Sequence, residues 1–348
     1  MVEVAFAIPG DIKTRTGGYS YDREVLTRLP HFGVAARHLP LPAGYPSPSA
    51  EDLQATSEAF ASLPDDTVVI IDGLAFGAMP RDLIASIRQR IIALVHHPLG
   101  YESGLSPERA EALIKSEREA LTLARRVIVT SPLTKRLLID EFDVPSGSIT
   151  VAVPGTTPAP RVQGNGNPLH LLSIGSVSPR KGFEYLVEAL APLQDRAWTL
   201  TIAGSLKRDP DAARKLKAAI AQQELGSRIK LAGELGAQAL AKLYTSADVF
   251  VLPSLFEGYG MVLAEAMVRG LPIVCTTGGA AAETVPDAAA LKVPPGEAKP
   301  LTEALDQIIT DASLRQKMSD AAWKAGQRLP DWRDTALYTI AVIREVAK

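Results

Sequence analysis

A single cysteine, Cys275, among 348 residues excludes an internal disulfide and any multi-cysteine metal site. No run of about 18 apolar residues is present to span a bilayer. The opening Met1-Val2-Glu3-Val4-Ala5 lacks the basic start of a secretory signal. Neither charge sign dominates: 37 Lys plus Arg stand against 39 Asp plus Glu, so no broad basic surface marks nucleic acid as a partner. What is there is ordinary globular material, 46% apolar and 22% charged, enough to bury a core. The length exceeds what one core usually holds and points to two domains. These features together predict a reduced, cytoplasmic protein.

Short apolar runs alternate with stretches of helical periodicity, the pattern of a parallel sheet covered on both faces by helices. In the first half the expected strands are 2–8, 67–71, 91–95, 126–129 and 149–153; in the second they are 169–174, 198–203, 229–232, 249–252 and 273–275. Most are rich in Val, Ile and Leu, as strands buried on both faces should be. Between the two series, residues 154–168 hold four prolines and three glycines in fifteen positions, which fits neither a helix nor a central strand. This stretch reads as an interdomain linker. From about Asp331, the stripe Leu337, Tyr338, Ile340, Ala341, Ile343 and Val346 predicts a helix packed on something.

Open α/β sheets bind ligands at the carboxyl ends of their strands, so the residues after each run carry the functional reading. After 2–8 comes Gly17-Gly18, just before an expected helix, where a backbone can approach a phosphate or sugar; a flexible loop is the plain alternative. After 91–95 come His96 and His97, which can exchange hydrogen bonds with a ligand near neutral pH, or serve structurally. Neighbours on a strand point to opposite faces, so the pair makes a poor metal site. After 169–174, Ser178-Pro179-Arg180-Lys181-Gly182 places two cations at the start of an expected helix, an anion site. Gly204 ends the run 198–203.

The most specific stretch follows 249–252: Glu257 in a glycine-broken loop, then Gly258, Tyr259, Gly260 and Met261, then Glu265 in a helix. Carboxylates bind vicinal hydroxyls well, and the amides between them can hold a pyrophosphate. A ligand with hydroxyls at both ends and a diphosphate between is a nucleotide sugar. Asp209-Pro210-Asp211 has the form of a metal motif but starts a polar helix, so it reads as an N-cap.

With these motifs the sequence resembles the retaining glycosyltransferases of family 4. The match rests on Gly17-Gly18, Ser178 to Gly182, Thr201-Ile202-Ala203-Gly204, the Glu257-x(7)-Glu265 signature and Trp332 to Ala336. The resemblance implies the α/β GT-B fold, two Rossmann-like doubly wound domains facing each other across a cleft. It assigns 1–160 to an acceptor-side domain, 161–330 to a nucleotide-sugar domain and 331–348 to a helix crossing back. It implies transfer of a hexose-type sugar from a nucleoside diphosphate to an acceptor hydroxyl in glycan or glycolipid synthesis, with retention and with neither metal nor cofactor. Arg180 and Lys181 would stabilise the leaving diphosphate, Glu257 would hold sugar hydroxyls, Glu265 the ribose, and His96 would touch the donor sugar.

One departure stands out: many members have Arg where this chain has Ser176. Either Arg180 replaces that charge or one diphosphate contact is weaker. His96 matches the family's histidine better by position, with His97 the other candidate. Arg88 with Arg90, Arg125 with Arg126, and Lys135 with Arg136 are either solvated faces or a peripheral contact with the inner face of the membrane. Oligomeric state is left open. The rival readings are a nucleotide-sugar epimerase and a non-catalytic nucleotide-sugar binder.

Overall fold

In the computed structural model, residues 2–164 and 166–348 are described; Met1 and Asn165, the latter within the expected linker, lie outside them. The chain forms two compact units, Met1–Gly155 with Pro330–Lys348, and Thr156–Leu329.

The first unit is built on a six-stranded parallel sheet: β1 Val2–Pro9, β2 Val34–Leu41, β3 Val68–Asp72, β4 Arg90–Val95, β5 Arg126–Val129 and β6 Ile149–Val151. Their spatial order is β2-β1-β3-β4-β5-β6. The second unit holds β7 Leu169–Ile174, β8 Trp198–Ala203, β9 Ile229–Gly233, β10 Val249–Leu252, β11 Ile273–Thr276 and β12 Ala290–Val293, ordered β12-β11-β10-β7-β8-β9. All pairings are parallel. Central strands such as β3 and β10 are buried throughout because helices cover both faces, which is why they read as unbroken apolar runs. In each sheet the order reverses beside the first strand, between β1 and β3 and between β7 and β10, and such switch points open a crevice at the strand ends.

Each sheet has an edge strand that the apolar runs did not reveal. β2 carries Arg37, His38 and Pro40 and alternates between buried and exposed positions; proline is tolerated because nothing pairs with its outer side. β12 carries Lys292, a charge that suits an edge.

The helix Trp332–Ala347 belongs to the first unit. Asp331 starts it with a capping box: it accepts from the amides of Arg333 (2.7 Å) and Asp334 (3.0 Å), and Asp334 accepts in return from Asp331 N–H at 3.1 Å. Its buried face is Trp332, Thr335, Ala336, Thr339, Ile340, Val342, Ile343 and Val346. Leu337, Tyr338 and Ala341 of the expected stripe instead face solvent, and Thr335, Ala336 and Thr339 take buried places beside Trp332, Ile340 and Ile343. Thr335 is accommodated there by donating to the Val153 carbonyl at 2.8 Å. Several of the paired basic residues are engaged within the chain. Arg90 donates to the Ala347 carbonyl at 2.8 Å and Arg126 to that of Gly147 at 2.7 Å. Lys135 donates to the Ile149 carbonyl at 3.2 Å, and Arg88 faces Asp65 at 3.3 Å. No helix among the described residues is long and apolar enough to cross a membrane.

Candidate functional site

In the second unit the ends of β10, β7 and β8 are neighbours, and the residues after them form one cluster. After β7, Pro179–Lys181 makes a single tight turn, Gly182 adopts φ 62°, and the helix Phe183–Leu190 follows. The two cations thus precede the helix rather than starting it, a shift from the expected arrangement imposed by Pro179 and the left-handed glycine. A Cβ on Gly182 would overlap the Pro253 carbonyl oxygen, so this turn lies directly against the segment after β10. Leu255 N–H donates to the Arg180 carbonyl at 2.7 Å, and the Arg180 guanidinium donates to the Phe256 carbonyl at 2.8 Å.

Lys181 Nζ donates to Glu257 Oε1 at 2.6 Å, and Arg180 lies 3.5 Å from Glu257 Oε2. Glu257 is 6% exposed. Burial works against its ionisation, but the charges of Lys181 and Arg180 outweigh it and hold the carboxyl at about 2. Both oxygens of the residue expected to hold sugar hydroxyls therefore meet cations here, each retaining lone-pair capacity for a further donor.

Gly204, after β8, sits where a Cβ would overlap the Gly175 carbonyl oxygen and lie 2.8 Å from Ser176 N. Two backbone turns are therefore in direct contact beside Ser176. The Lys181 stem runs over Gly175, 3.0 Å from where a Cβ would be.

Glu257 leads through Gly258 and Tyr259 to Gly260 (φ 85°), which opens the helix Met261–Met267 without a side-chain cap. Glu265 on that helix accepts from the Tyr244 hydroxyl at 2.7 Å. Burial raises the Glu265 carboxyl above its ordinary range, with the Tyr244 hydrogen bond and the Arg269 charge pulling against it.

A loop that sequence reasoning missed braces this arrangement. After β11, Thr276 donates from its hydroxyl to the Ser254 carbonyl. Glu257 N–H donates to Gly278 O at 3.2 Å, and Ala280 N–H to Glu257 O at 2.8 Å. Gly279 (φ 65°) has no room for a Cβ beside the Glu257 backbone. The Thr284 hydroxyl donates to the Tyr259 carbonyl at 2.6 Å. The signal was present: Gly278-Gly279 is a glycine pair after an apolar run, like Gly17-Gly18.

The first unit has its own cluster at the β1/β3 switch point. The helix Gly17–Arg28 starts on the glycine pair, and a Cβ on Gly18 would lie 3.3 Å from His96 Cδ2. His96 Nε2–H donates to Asp22 Oδ1 at 3.1 Å and lies 3.4 Å from Asp72 Oδ2. Asp22 and Asp72 are both buried. Burial and the charge of Asp72 raise Asp22; burial opposes the His96 charge, but the two carboxylates more than offset it and raise His96. The group therefore holds its protons tightly.

His97 faces Glu102 at 3.4 Å instead, so His96 is the histidine set against the glycine pair. Asp22, Asp72 and His96 offer donor atoms all within 4.8 Å of one another and could hold a cation. Asp209 accepts from Ala212 N–H at 2.9 Å as an N-cap, and Asp211 pairs with Arg214. Asp72 ends an apolar run and was findable by the same inspection; Asp22, inside a helix, carried no such mark.

Residues 159–325 match the model of the family described as Glycosyl transferases group 1. Over these residues, just under half of the chain, it is similar to the group 1 glycosyl transferases. Among curated relatives, the MMP alpha-(1->4)-mannosyltransferase of Mycolicibacterium hassiacum is 25% identical over 317 residues, covering 86% of this chain and 75% of the relative. The D-inositol 3-phosphate glycosyltransferase of an Arthrobacter strain is 31% identical over 233 residues, covering 62% and 55%; the chain thus spans about half the length of that relative. Among solved structures, sucrose-phosphate synthase from Thermosynechococcus elongatus superposes with TM-score 0.84 at 22% identity over 99% of both chains. Anabaena HepE in complex with UDP-glucose does so with TM-score 0.73 at 16% identity, covering 100% of this chain and 98% of that one. These likenesses establish the fold: the two six-stranded parallel sheets of this chain are those of GT-B proteins. The family domain contains Arg180, Lys181, Gly204, Glu257 through Met261, Glu265 and the bracing loop 276–280; Gly17, Gly18 and His96 lie outside it.

Proposed function

We propose that the protein is a retaining, metal-independent glycosyltransferase of the family 4 type, moving a hexose-type sugar from a nucleoside diphosphate to an acceptor hydroxyl. The observation that carries this reading is the cluster at the β7/β10 switch point in which buried Glu257 meets the part-buried cations Lys181 and Arg180. Two cations fixed side by side on a rigid turn suit a diphosphate, and a carboxylate keeps them aligned until it arrives.

In the reaction, the bond between the anomeric carbon and the β-phosphate oxygen breaks. Its electron pair stays on the diphosphate, the acceptor oxygen bonds to the anomeric carbon, and the hydroxyl proton passes to the departing phosphate oxygen. Lys181 and Arg180 stabilise the charge that grows on the leaving group, with the backbone of Gly258, Tyr259, Gly260 and Met261 beside it. Preorganised charge of this kind commonly lowers a barrier by several kcal/mol. Glu257 is placed to receive sugar hydroxyls through its remaining lone pairs, and Glu265 to hold the ribose. His96, kept charged by Asp22 and Asp72, is the candidate catalytic group of the first unit. With side-chain cations supplying the neutralisation, the reaction needs neither a metal nor a resident cofactor.

The test is transfer from UDP-, GDP- and ADP-hexoses to a panel of sugar, polyol and lipid-linked acceptors with a metal chelator present, followed by NMR of the product. Retained anomeric configuration and at least a 10²-fold fall in turnover for Lys181→Ala are expected. An inverted product, abolition by the chelator, or near-unchanged turnover in the variant contradicts the proposal. Isomerisation of the donor without transfer identifies an epimerase instead.

A further inference from the structure

We infer that Tyr244 is a positioning residue for donor binding, which fixes the Glu265 carboxylate so that one oxygen remains directed to the ligand's ribose hydroxyls. The inference rests on the donor reading of Glu265 given above. Tyr244 lies on the helix Ala237–Ser246, 21 residues from Glu265, and nothing in the spacing of the sequence motifs connects them.

The ring of Tyr244 is 1% exposed. It stacks on Phe250 of β10 at 5.9 Å between centroids, and the Arg269 guanidinium covers it at 4.3 Å. Arg269 also donates to the Glu265 carbonyl at 2.7 Å, tying the helix that carries Glu265 to the same stack. A hydroxyl at such depth is costly without a partner, and a phenylalanine would pack the same space. The hydroxyl is accounted for by its 2.7 Å bond to Glu265 Oε2.

Glutamate has three side-chain torsions, and only a hydrogen bond to its head fixes the last of them. Tyr244 supplies that bond from a rigid wall, so binding need not order the carboxylate again. Burial raises the Glu265 carboxyl, and the Tyr244 hydroxyl is the largest effect drawing it back toward the charged, accepting form. Oε1 is left for the ligand.

The test uses the full chain and isothermal titration with UDP, GDP and ADP. The diphosphate that wild type binds most tightly is then compared with its 2′,3′-dideoxy analogue. Wild type is expected to prefer the ribonucleotide at least tenfold, since a site built to bind a hydroxyl rejects the analogue lacking it. Glu265→Ala should bring the ratio to about one. Tyr244→Phe should lose about 5–10-fold in ribonucleotide affinity, the size of one ordinary net hydrogen bond, with the analogue's affinity unchanged. Its donor KM should rise while kcat at saturation stays within twofold.

The ratio of two affinities does not depend on the fraction of folded variant. If Glu265→Ala abolishes the preference and Tyr244→Phe keeps it, or weakens both ligands equally, the role of Tyr244 is refuted while the donor reading stands. If Glu265→Ala keeps the preference, or wild type binds none of the three diphosphates, the donor reading itself fails.

Discussion

Replacing Glu257 by glutamine removes one charge without changing shape, and the structure sets the size of the response. At an effective dielectric of about 20, opposite charges at the two observed separations of 2.6 and 3.5 Å attract by roughly 5–6 kcal/mol each. Withdrawal of all three groups from water cancels much of this. The balance is visible in the carboxyl itself: a drop from 4.5 to about 2 corresponds to about 3 kcal/mol favouring the ionised form. Glu257→Gln should therefore destabilise the second unit by about 3 kcal/mol at pH 6, the lower end of what stranding a buried partner costs. For a unit of this size, that is a fall in Tm of roughly 6–12 °C. Because the folded value lies below the unfolded one, the contribution is complete above pH 4.5 and is lost as pH falls toward 2. Scanning calorimetry of both proteins at pH 6, 4 and 3 should show the gap shrinking with acid. A gap under 2 °C at pH 6, or one that does not narrow, refutes the idea that the cluster is held together by this charge.

Three further perturbations report on other parts of the molecule. Glu117 is buried, accepts from Leu99 N–H at 2.8 Å, and is pushed by burial up to about 8 against that hydrogen bond. Its contribution is complete below pH 4.5 and is lost as pH rises through 8, so Glu117→Gln should match wild type in urea melts near pH 5 and exceed it by roughly 2–4 kcal/mol at pH 9; equal losses in both proteins would contradict this. Gly204→Ala forces a Cβ onto the Gly175 carbonyl and should cost roughly 2–4 kcal/mol and weaken nucleotide binding by titration; a wild-type Tm would contradict the close approach. Asp22→Asn removes a carboxylate that stabilises the His96 imidazolium, so the His96 titration followed by NMR should move to lower pH. An unmoved midpoint would show that Asp22 does not set the charge of His96.

The parts of the fold legible in the sequence were those whose environment is uniform. The runs around Val68–Asp72 and Val249–Leu252 are buried on every side, so their apolar character is unbroken. Val34–Leu41 and Ala290–Val293 lie at edges, where arginine, histidine, proline and lysine are tolerated, and periodicity does not separate such strands from loops. The helix after Asp331 was legible as a helix, but its orientation was not, because Thr335 and Thr339 are buried through hydrogen bonds to carbonyls while Leu337 and Tyr338 face out.

The site divides in the same way. Lys181 and Glu257 each advertise themselves beside glycines at a strand end, but their pairing across 76 residues follows only from the adjacency of β7 and β10 in the sheet. Tyr244 and Asp22 sit on helices with no local mark, and their roles exist only in the contacts made after folding.

The central claim is that Lys181 and its neighbours hold the diphosphate of an activated sugar. Isothermal titration of wild type and Lys181→Met with UDP, GDP and ADP measures it most directly. Wild type should bind at least one of the three, with the methionine variant weakened tenfold or more. Binding of none by the intact protein, or equal affinity in the variant, would contradict it.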